Sequence, residues 1–390
     1  MRLAFVADGR SPIARSWIEH FLRAGDRVHL ISTRSCAAMD GLASLEIVPL
    51  WPRAAGAGGG ERRQRNLSVL TAMRHWFGPW FVAQRASMLR GILSEMGADV
   101  VHAMRLPFEG MLAAAAKPAA PLVISTWGND LTLHAPATPL MRWMTWRALR
   151  AANGLHADCE RDARLAQRWG FRAGLASIVI PGNGGVRRDV FFPGPSDQGP
   201  DFDLPAGAPV VVQPRGLRAY VRSDAFFKAV PRVLSMLPNT VFVCPAMEGA
   251  AEAEAWCARL GVGRAIRLLP SLDPPSMAAL FRRADVSLSP SVHDGTPNTL
   301  LEAMACGCLP VAGDLESIRE WIQDEENGLL IDPTSEHSVA EGVVRGLTDA
   351  GLRGRAARIN IGLIADRADY ERQMPRAAAF YEQVRRGFAS

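Results

Sequence analysis

Lysine is almost absent from this 390-residue chain, which contains only Lys117 and Lys228. Positive charge is therefore carried by arginine, and it is distributed unevenly. Residues 1–200 contain 24 Arg and Lys against 15 Asp and Glu, whereas residues 201–390 contain 20 against 24. The basic first half predicts an anionic partner, such as a membrane surface, a phosphorylated lipid or an acidic glycan. The alternative is that these arginines are simply solvated.

Long apolar runs are also missing. The sequence has no apolar run of about eighteen or more residues, so no transmembrane helix is predicted. The N-terminal stretch from Met1 to Asp8 has the pattern of a strand followed by a loop, and not the layout of a signal peptide. Apolar residues make up 48% and charged residues 21% of the composition, which is typical of a soluble globular protein. We therefore expect a cytoplasmic protein of two domains.

Patterns typical of metal and dinucleotide sites are scarce. The six cysteines show no zinc-binding spacing, so we interpret all of them as reduced thiols. The fingerprint G-x-G-x-x-G is missing after the first strand, which argues against a nicotinamide or flavin site. Asp201 and Asp203 form an Asp-x-Asp pair, but this pair lies in a segment rich in Gly and Pro ahead of a strand. We therefore predict no metal role for it.

Strand and helix patterns alternate regularly through the chain. Arg2–Ala7, Arg27–Ser32 and Val241–Cys244 are among the predicted strands. Ser11 is a good N-cap for the helix that follows the first strand. A helix is also predicted to begin over Glu316–Trp321. Such alternation indicates an α/β fold in which helices cover doubly wound sheets.

The stretch from Ser289 to Trp321 carries the strongest indication of function. Its pattern predicts a strand end, a polar loop and a short apolar helix from about Thr299 to Cys306. The first turn of such a helix presents unpaired backbone N–H groups and a positive dipole end, which suit a diphosphate. Asp294 lies in the loop and Glu302 about one turn into the helix. Carboxylates in these positions can accept hydrogen bonds from sugar hydroxyls.

These residues resemble the donor-site signature of retaining glycosyltransferases of family 4, which have the GT-B fold. The signature is E-x7-E, and here it stands as Asp294-x7-Glu302. The resemblance implies two Rossmann-like doubly wound domains facing a central cleft. It also implies that Asp294 faces the donor sugar and that Glu302 binds the ribose hydroxyls. The implied donor-binding residues beside them are Gly295, Thr296, Pro297, Asn298, Thr299 and Leu300.

The resemblance further implies cationic side chains beside the donor diphosphate. The family places an Arg, and a Lys a few residues later, after the first strand of its second domain. Arg215 fits the Arg position and the Lys is missing. Arg222 or Arg218 could replace it, because a guanidinium grips a phosphate with two hydrogen bonds. We assign catalytic roles to Asp294, Arg215 and Arg222 and a donor-binding role to Arg218, and we expect no metal and no other cofactor.

Loops in the first half resemble the acceptor side of the same family. His102 matches the first His of an H-x-H segment, although a buried structural role is equally open. Trp127 takes the place of the His in an H-G-x-D loop, and Asp130 matches its Asp, with a helix cap as the structural alternative. A segment similar to N-G-V-D-x-x-x-F-x-P begins at Asn183. The implied cleft and acceptor-side residues are Gly9, Arg10, Ser11, His102, Trp127, Asp130 and Asn183.

The resemblance and the composition together divide the chain. Residues 1–194 are predicted to form the acceptor-side domain, and residues 208–371 the domain that binds the donor. Residues 195–207 are rich in Gly, Pro and Asp, which predicts a linker. The final helix, at about residues 372–390, is implied to pack back on the first domain.

The implied activity is transfer of a sugar from a nucleotide-diphosphate sugar to a hydroxyl acceptor, with retention at the anomeric carbon. The acceptor class stays open between a glycan, a lipid-linked and a small-molecule acceptor, in cell-envelope, polysaccharide or glycolipid biosynthesis, and no nucleic-acid partner is expected. One alternative is different chemistry on the same fold, such as that of an epimerase or a phosphorylase, for which Lys228 is the only lysine in the second half. The other is a non-catalytic nucleotide-sugar-binding protein or partner subunit.

A basic and aromatic segment adds an anionic membrane surface as a further candidate partner. Its members are Arg62, Arg63, Arg65, Arg74, His75, Trp76, Phe77, Trp80 and Phe81. Basic residues beside interfacial aromatics fit a peripheral contact on the inner face of a membrane. The interpretation we favour from sequence is that the aromatics are buried in a core-facing helix pair.

Overall fold

A computed structural model describes residues 1–50, 60–195, 200, 202–218 and 220–389, and within this part the side chains of residues 60–72 are not described. The chain divides into two compact units. One comprises Met1–Gly185 and Glu371–Ser390, and the other comprises Val186–Tyr370. The predicted linker includes residues 196–199 and 201, which lie outside the described residues, so its extent stays a prediction.

The first unit is built on a seven-stranded parallel sheet. Its strands are β1 (Arg2–Ala7), β2 (Arg27–Ser32), β3 (Ser44–Ile47), β4 (Val100–Ala103), β5 (Leu122–Thr126), β6 (Gly154–Ala157) and β7 (Ala176–Val179). They lie in the order β3-β2-β1-β4-β5-β6-β7. The direction of winding therefore reverses between β1 and β4, and the loops at their carboxyl ends meet at one edge.

The helices of the first unit are α1 (Pro12–Arg23), α2 (Gly60–Met96), α3 (Met111–Ala116), α4 (Pro139–Ala151) and α5 (Glu160–Arg168). Ser11 caps α1 as predicted, because its hydroxyl accepts the Ala14 N–H at 3.4 Å. The last helix, α12 (Tyr370–Ala389), packs in this unit, where Phe380 and Val384 contact Gly154 of β6. That contact requires glycine, since a Cβ at Gly154 would lie 2.6 Å from the Val384 side chain.

Helix α2 corrects one interpretation of the sequence. Trp76, Phe77 and Trp80 are 61%, 55% and 58% exposed, so the aromatics of this segment are not buried as we favoured. Val82 and Leu89 on the same helix are fully buried. The helix therefore uses one apolar stripe for the core and leaves the aromatic stripe uncovered. Arg62, Arg63 and Arg65 have side chains outside the described part.

The second unit contains a six-stranded parallel sheet. Its strands are β8 (Val210–Val212), β9 (Val241–Cys244), β10 (Ile266–Leu268), β11 (Val286–Ser289), β12 (Leu309–Gly313) and β13 (Leu329–Ile331). The order is β10-β9-β8-β11-β12-β13, which reverses between β8 and β11. Its helices are α6 (Ser223–Met236), α7 (Ala251–Leu260), α8 (Pro274–Arg283), α9 (Asn298–Ala305), α10 (Glu336–Thr348) and α11 (Ala350–Arg367).

The prediction that a helix begins over Glu316–Trp321 is wrong. The segment instead forms successive turns, in which Ile318 N–H donates to the Leu315 carbonyl and Trp321 N–H to the Ile318 carbonyl. The Asn327 side chain donates to the Trp321 carbonyl at 2.9 Å, which removes the acceptor that the next helical turn would need.

Both sheets confirm the predicted α/β class with two doubly wound sheets. All six cysteines are free thiols, in agreement with the sequence interpretation. Among the described residues, no helix combines the length and the apolar character needed to cross a bilayer.

Candidate active site

Two loops of the second unit meet where the strand order reverses. β8 and β11 are neighbours, so the loops that follow them leave the same edge of the sheet. Val221 and Ser291 form an antiparallel bridge between these loops, and Val292 N–H donates to the Tyr220 carbonyl at 2.9 Å. Open α/β sheets bind their ligands at such a reversal point.

An ion pair joins the two loops. Arg215 Nη2 donates to Asp294 Oδ2 at 2.6 Å, and both side chains are only 11% exposed. The side chain of Gln213 accepts the Arg215 backbone N–H at 2.9 Å, which fixes the position from which the arginine extends. Arg215 Nε is buried and has no acceptor among the described residues. An anionic ligand would supply that acceptor.

Helix α9 begins beside this ion pair. Asn298 Oδ1 and Thr299 Oγ1, both in its first turn, are buried and have no hydrogen-bond partner among the described residues. The free N–H groups and the dipole of a helix N-terminus favour a negative charge at this point. Leu300 is engaged differently, because its side chain is buried in the core and its N–H donates to the Pro297 carbonyl at 3.0 Å.

Glu302 lies one turn further along α9 and is partly exposed. Burial raises the pKa of Glu302 to about 7, and the positive charge of Arg215 opposes that rise. Arg215 therefore acts on both predicted carboxylates, Asp294 and Glu302. A carboxyl that is about half protonated near neutral pH can donate one hydrogen bond and accept others, which suits a pair of vicinal hydroxyls.

The segment after β12 holds the predicted donor loop in place. The sequence did not reveal this support. Ser317 Oγ donates to the Asp294 carbonyl at 2.7 Å, and Trp321 Nε1 donates to Thr296 Oγ1 at 3.0 Å. Both bonds originate in the turns that replace the predicted helix. A Cβ at Gly313, at the end of β12, would lie 2.3 Å from the Ser291 carbonyl oxygen, so glycine is required for this close approach.

The remaining predicted donor residues take separate positions. Arg222 donates through Nε and Nη2 to Asp224, at 2.7 Å in each case. Arg218 is exposed and donates through Nε to the Arg215 carbonyl at 2.9 Å. Gly295 is buried, and Pro297 stands at the residue before α9. The role of Arg222 or Arg218 at a diphosphate stays a prediction.

The first predicted acceptor-side loop follows β1. Gly9 N–H donates to Ser32 Oγ at 3.0 Å, which ties the loop to the end of β2. Arg10 is exposed and donates through Nε and Nη2 to Asp8, at 2.9 and 2.7 Å. Ser11 is occupied as the cap of α1. The loop therefore starts on a fixed backbone and carries a guanidinium at its surface.

His102 belongs to a buried chain of hydrogen bonds. From donor to acceptor, the chain runs through Trp17 Nε1, the Tyr381 hydroxyl, His102, the Ser125 hydroxyl, His156 and the Ile180 carbonyl. The direction follows because an indole N–H only donates and a carbonyl only accepts. Burial lowers the pKa of His156 to about 4 and that of His102 well below its usual range. Of the two roles considered for His102, a cleft residue or a buried structural histidine, the burial of its ring fits the second.

Asp130 fixes the loop that contains Trp127. Its carboxylate is buried and accepts Arg105 Nε at 3.0 Å and the Trp127 backbone N–H at 3.1 Å. Burial raises the pKa of Asp130, while the charge of Arg105 opposes the rise. Trp127 is partly exposed, and its Nε1 has no acceptor among the described residues.

Asp158, Cys159 and Asp162 form a group with metal-ligand spacing, with ligand atoms within 4.8 Å of one another. Arg161 Nη2 donates to Asp162 at 2.6 Å, and Gly128 N–H donates to Asp158 at 3.2 Å. The Arg161 guanidinium thus already pairs with one carboxylate of this buried group. Through Asp158 the group is also bonded to Gly128 in the loop of Trp127.

Asn183 and a cavity complete the first unit. Asn183 accepts a hydrogen bond from Ser16 Oγ at its backbone carbonyl, at 3.0 Å, and one from the Gly185 N–H at its side chain, at 3.1 Å.

A cavity of about 270 Å³ opens at the carboxyl edge of the sheet, lined in part by Arg10 and Trp127. Its lining also includes Arg34, Arg74 and Arg105. The sequence analysis assigned no cleft role to these arginines, although it named Arg74 in the basic and aromatic segment. The available signal was that Arg34 and Arg105 each follow closely on a buried strand.

Two family models match the chain. Residues 8–182 match the glycosyl transferase 4-like domain, and residues 207–349 match glycosyl transferases group 1. Together these ranges cover most of the sequence. The chain belongs to the group 1 glycosyltransferases.

Two curated relatives resemble parts of this glycosyltransferase. It is 30% identical over 220 residues to the D-inositol 3-phosphate glycosyltransferase of Acidothermus cellulolyticus, a match that covers 53% of this chain and 48% of that protein. It is also 30% identical over 130 residues to an uncharacterized glycosyltransferase of Methanocaldococcus jannaschii, covering 33% of each chain. The chain thus spans a third to a half of the length of these relatives.

Solved structures show the fold of this glycosyltransferase. Sucrose-phosphate synthase from Thermosynechococcus elongatus matches with a TM-score of 0.79 at 14% identity, over 100% of both chains. HepE of Anabaena in complex with UDP matches with a TM-score of 0.73 at 16% identity, over 97% of this chain and 99% of that one. These likenesses confirm the predicted GT-B fold.

Proposed function

We propose that this glycosyltransferase moves a sugar from a nucleotide-diphosphate sugar to a hydroxyl acceptor. The observation that carries the proposal is the meeting of Arg215, Asp294 and the start of α9 at the reversal point of the second sheet. A diphosphate gains negative charge as its bond to the sugar breaks, and preorganised positive groups stabilise that charge. Arg215 Nε and Thr299 Oγ1 have no hydrogen-bond partner among the described residues, and a phosphate oxygen would accept a hydrogen bond from each.

The two carboxylates recognise different parts of the donor. In this proposal Asp294, held by Arg215, orients a hydroxyl of the donor sugar, and Glu302 binds the ribose hydroxyls. The partial exposure of Glu302 and its pKa of about 7, raised by burial, support a role in hydrogen bonding to neutral hydroxyls. The complex of HepE with UDP makes UDP the first nucleotide to test.

The proposal includes retention at the anomeric carbon without a metal ion. Asp294 is ion-paired to Arg215, which weakens it as a nucleophile and supports attack by the acceptor on the face that the phosphate leaves. The acceptor oxygen forms the new bond to the anomeric carbon as the bond to the phosphate oxygen breaks. The acceptor proton passes to the departing phosphate. Arg215 and the α9 N-terminus supply the positive field that a metal would otherwise provide.

Turnover in the presence of EDTA tests this proposal. We expect release of nucleoside diphosphate from one sugar nucleotide to persist in EDTA, and Asp294→Asn to lower kcat by about 100-fold. Asp40→Asn, at an exposed position of the first unit, is the matched control and should leave kcat unchanged. The anomeric proton coupling of the product reports retention. Nucleotide binding without turnover of any sugar nucleotide would instead support the non-catalytic alternative.

The proposal also places the protein in the cytoplasm, on the inner face of a membrane, in cell-envelope glycan or glycolipid synthesis. Support comes from an aromatic face formed by Trp76, Phe77, Trp80, Trp143 and Trp146. Each of these side chains is between 49% and 61% exposed. Trp80, Trp143 and Trp146 line one groove. Grouped exposed aromatics mark interaction surfaces, and Trp is favoured at the water–lipid boundary.

The charge around the aromatic face fits an anionic lipid surface. A groove of about 570 Å³ between α2, α3 and α4 is lined by Trp80, Trp143 and Trp146 together with Lys117, Arg147 and Arg150. The described residues that line it include no acidic side chain. Basic residues around interfacial aromatics attract anionic lipids at about 1 kcal/mol each. The six free thiols support a reducing compartment such as the cytoplasm.

Liposome co-sedimentation tests the membrane contact. We expect the protein to bind phosphatidylcholine vesicles only when phosphatidylglycerol is included. The double variant Trp143→Ser, Trp146→Ser should bind at least about tenfold more weakly, because two exposed aromatic side chains no longer enter the interface. Met236→Ser, which alters an exposed apolar residue of the second unit, is the control. Equal binding of the control and the double variant, or of neutral and anionic vesicles, contradicts the contact.

A further inference from the structure

The cavity of the first unit is unusually rich in arginine. Its four arginines come from four separate elements of the unit: Arg10 follows β1, Arg34 follows β2, Arg74 lies on α2 and Arg105 follows β4. The cavity is thus located where the strand order of the first sheet reverses, the position at which open α/β sheets bind ligands. The folding of the whole unit is needed to bring these guanidinium groups together.

Acidic side chains do not balance these arginines within the cavity. Asp8 and Glu109 are the two carboxylates among the described residues that line it. Asp8 is shared, since Arg10 Nη2 lies 2.7 Å and Arg34 Nε 3.5 Å from its Oδ2. Burial raises the pKa of Glu109, whose carboxyl also accepts the Thr33 hydroxyl at 2.8 Å. Outside the lining, the buried carboxylate of Asp130 pairs with Arg105 Nε at 3.0 Å. Four arginines thus stand against three carboxylates, and positive charge remains in excess.

The positive charge of the arginines contributes to lowered pKa values in two histidines of the cavity. His75 Nε2 and His134 Nδ1 lie 3.0 Å apart and share a hydrogen bond, and both rings line the cavity. Burial and the positive charge of Arg105 lower the pKa of His134 to about 3, and burial and Arg74 lower that of His75. Both imidazoles are therefore neutral at physiological pH. They can add hydrogen-bonding groups for an anion that the arginines attract.

Apolar and aromatic residues also line the cavity. Trp127 and Phe108 line it, together with Met104 and Pro107. Arg74 lies 5.2 Å from the centre of the Phe108 ring, so the cationic and aromatic parts of the lining adjoin. Trp127 Nε1 is a buried donor without an acceptor among the described residues. Such a lining can bind a polyol or sugar ring on one side and a charged substituent on the other.

We propose that this cavity recognises an acceptor that carries a phosphate ester. This inference rests on the proposed glycosyl transfer, because it identifies the acceptor of that reaction. Guanidinium forks from several directions match the tetrahedral oxygens of a phosphate and bind it with paired hydrogen bonds. The volume, about 270 Å³, lies just below the range typical of sites for drug-sized ligands and so suits a small phosphorylated polyol or sugar. The phosphate comes either from a free metabolite or from the head of a lipid.

Binding of phosphate compounds by the full chain tests the proposal. Calorimetric titration with inorganic phosphate, glycerol 3-phosphate and hexose monophosphates probes the free source, and phosphatidylcholine vesicles that contain phosphatidic acid probe the lipid source. We expect Arg74→Gln and Arg105→Gln each to weaken binding of the phosphorylated probe about ten- to a hundredfold, since each removes charged hydrogen bonds. Binding of the corresponding unphosphorylated polyol or sugar should be unaffected.

A matched control is available on the same helix as Arg74. Arg85→Gln makes the same change of charge at an exposed position outside the cavity and should bind phosphate like the wild type. Arg105 also supports Asp130, so Arg74→Gln is the variant that separates recognition from loop structure. Equal affinity of the Arg74→Gln and Arg85→Gln variants for phosphate, or no binding of any phosphorylated probe by the wild type, overturns the proposal.

The result for the donor is measured independently. The stabilisation of the protein by UDP should be the same in Arg74→Gln as in the wild type, because the variant leaves the second unit unchanged. Phosphate binding without turnover would contradict the proposed transfer reaction but not the phosphate site. Turnover of unphosphorylated acceptors with the same kcat/KM as their phosphate esters would sink the phosphate site but not the transfer reaction.

Discussion

We expect that replacing Arg215 with glutamine lowers kcat/KM for the sugar nucleotide by about 100- to 1,000-fold. The guanidinium is fixed before any reaction, at 2.6 Å from Asp294 and with its backbone N–H held by Gln213. In the proposed reaction it would therefore stabilise the departing diphosphate without first having to be ordered. Glutamine keeps a polar side chain but removes the charge. Steady-state release of nucleoside diphosphate measures the loss.

The pH dependence of nucleotide binding provides a second readout of the same variant. Arg215 holds down the pKa that burial raises in Glu302, so its removal should move the Glu302 transition to higher pH. Arg264→Gln, at an exposed position of the second unit, is the control for loss of a positive charge. A decrease of less than about tenfold in Arg215→Gln, with no shift of the pH profile, would remove Arg215 from the diphosphate site.

We expect acidification from pH 7.5 to pH 4.5 to lower the free energy of unfolding by about 2–3 kcal/mol through His156 alone. Burial lowers its pKa in the folded protein to about 4, below the ordinary value of 6.5. The unfolded chain therefore binds the proton more tightly, and the stability present above pH 6.5 is lost as the pH falls towards 4. His102, whose pKa burial lowers further, adds to the loss. Urea unfolding at a series of pH values measures the slope.

The variant His156→Gln isolates this contribution. Glutamine does not titrate, so the variant should be less stable at pH 7.5 because the bonds to Ser125 and Ile180 are perturbed, but its stability should depend less on pH. His337→Gln, on the exposed surface of α10, should keep the slope of the wild type. A slope that is the same in His156→Gln and the wild type would contradict a neutral, buried His156.

The strands could be predicted closely because their signal is local. β1, β2 and β9 have the predicted bounds, since a parallel strand buried on both faces is a continuous apolar run between polar loops. The turns at Glu316–Trp321 could not be predicted, because their cause is tertiary. Asn327 takes the Trp321 carbonyl, and Ser317 and Trp321 bond to the donor loop instead of completing a helix.

In the candidate site, too, some features have a local signal in the sequence and others depend on tertiary contacts. Asp294 and Glu302 were found from a local pattern, and the structure places Arg215 beside them. The burial of His102, which the sequence left open, depends on Tyr381, a residue far away along the chain. Arg74 was named as a member of the basic and aromatic segment, yet it shares a cavity with arginines from three other elements. Such assemblies are produced by the fold and have no signature in sequence spacing.

Thermal unfolding in the absence of metal tests whether the second unit binds a nucleoside diphosphate at Arg215 and α9. The wild type is heated with UDP, GDP, ADP or dTDP and with their sugar conjugates. We predict that one nucleotide raises Tm, in line with a stabilisation of about 2.7 kcal/mol at a hundredfold excess over Kd. The shift should be reduced in Glu302→Ala and kept in Glu248→Ala, an exposed control. No shift with any nucleotide at millimolar concentration would contradict the account.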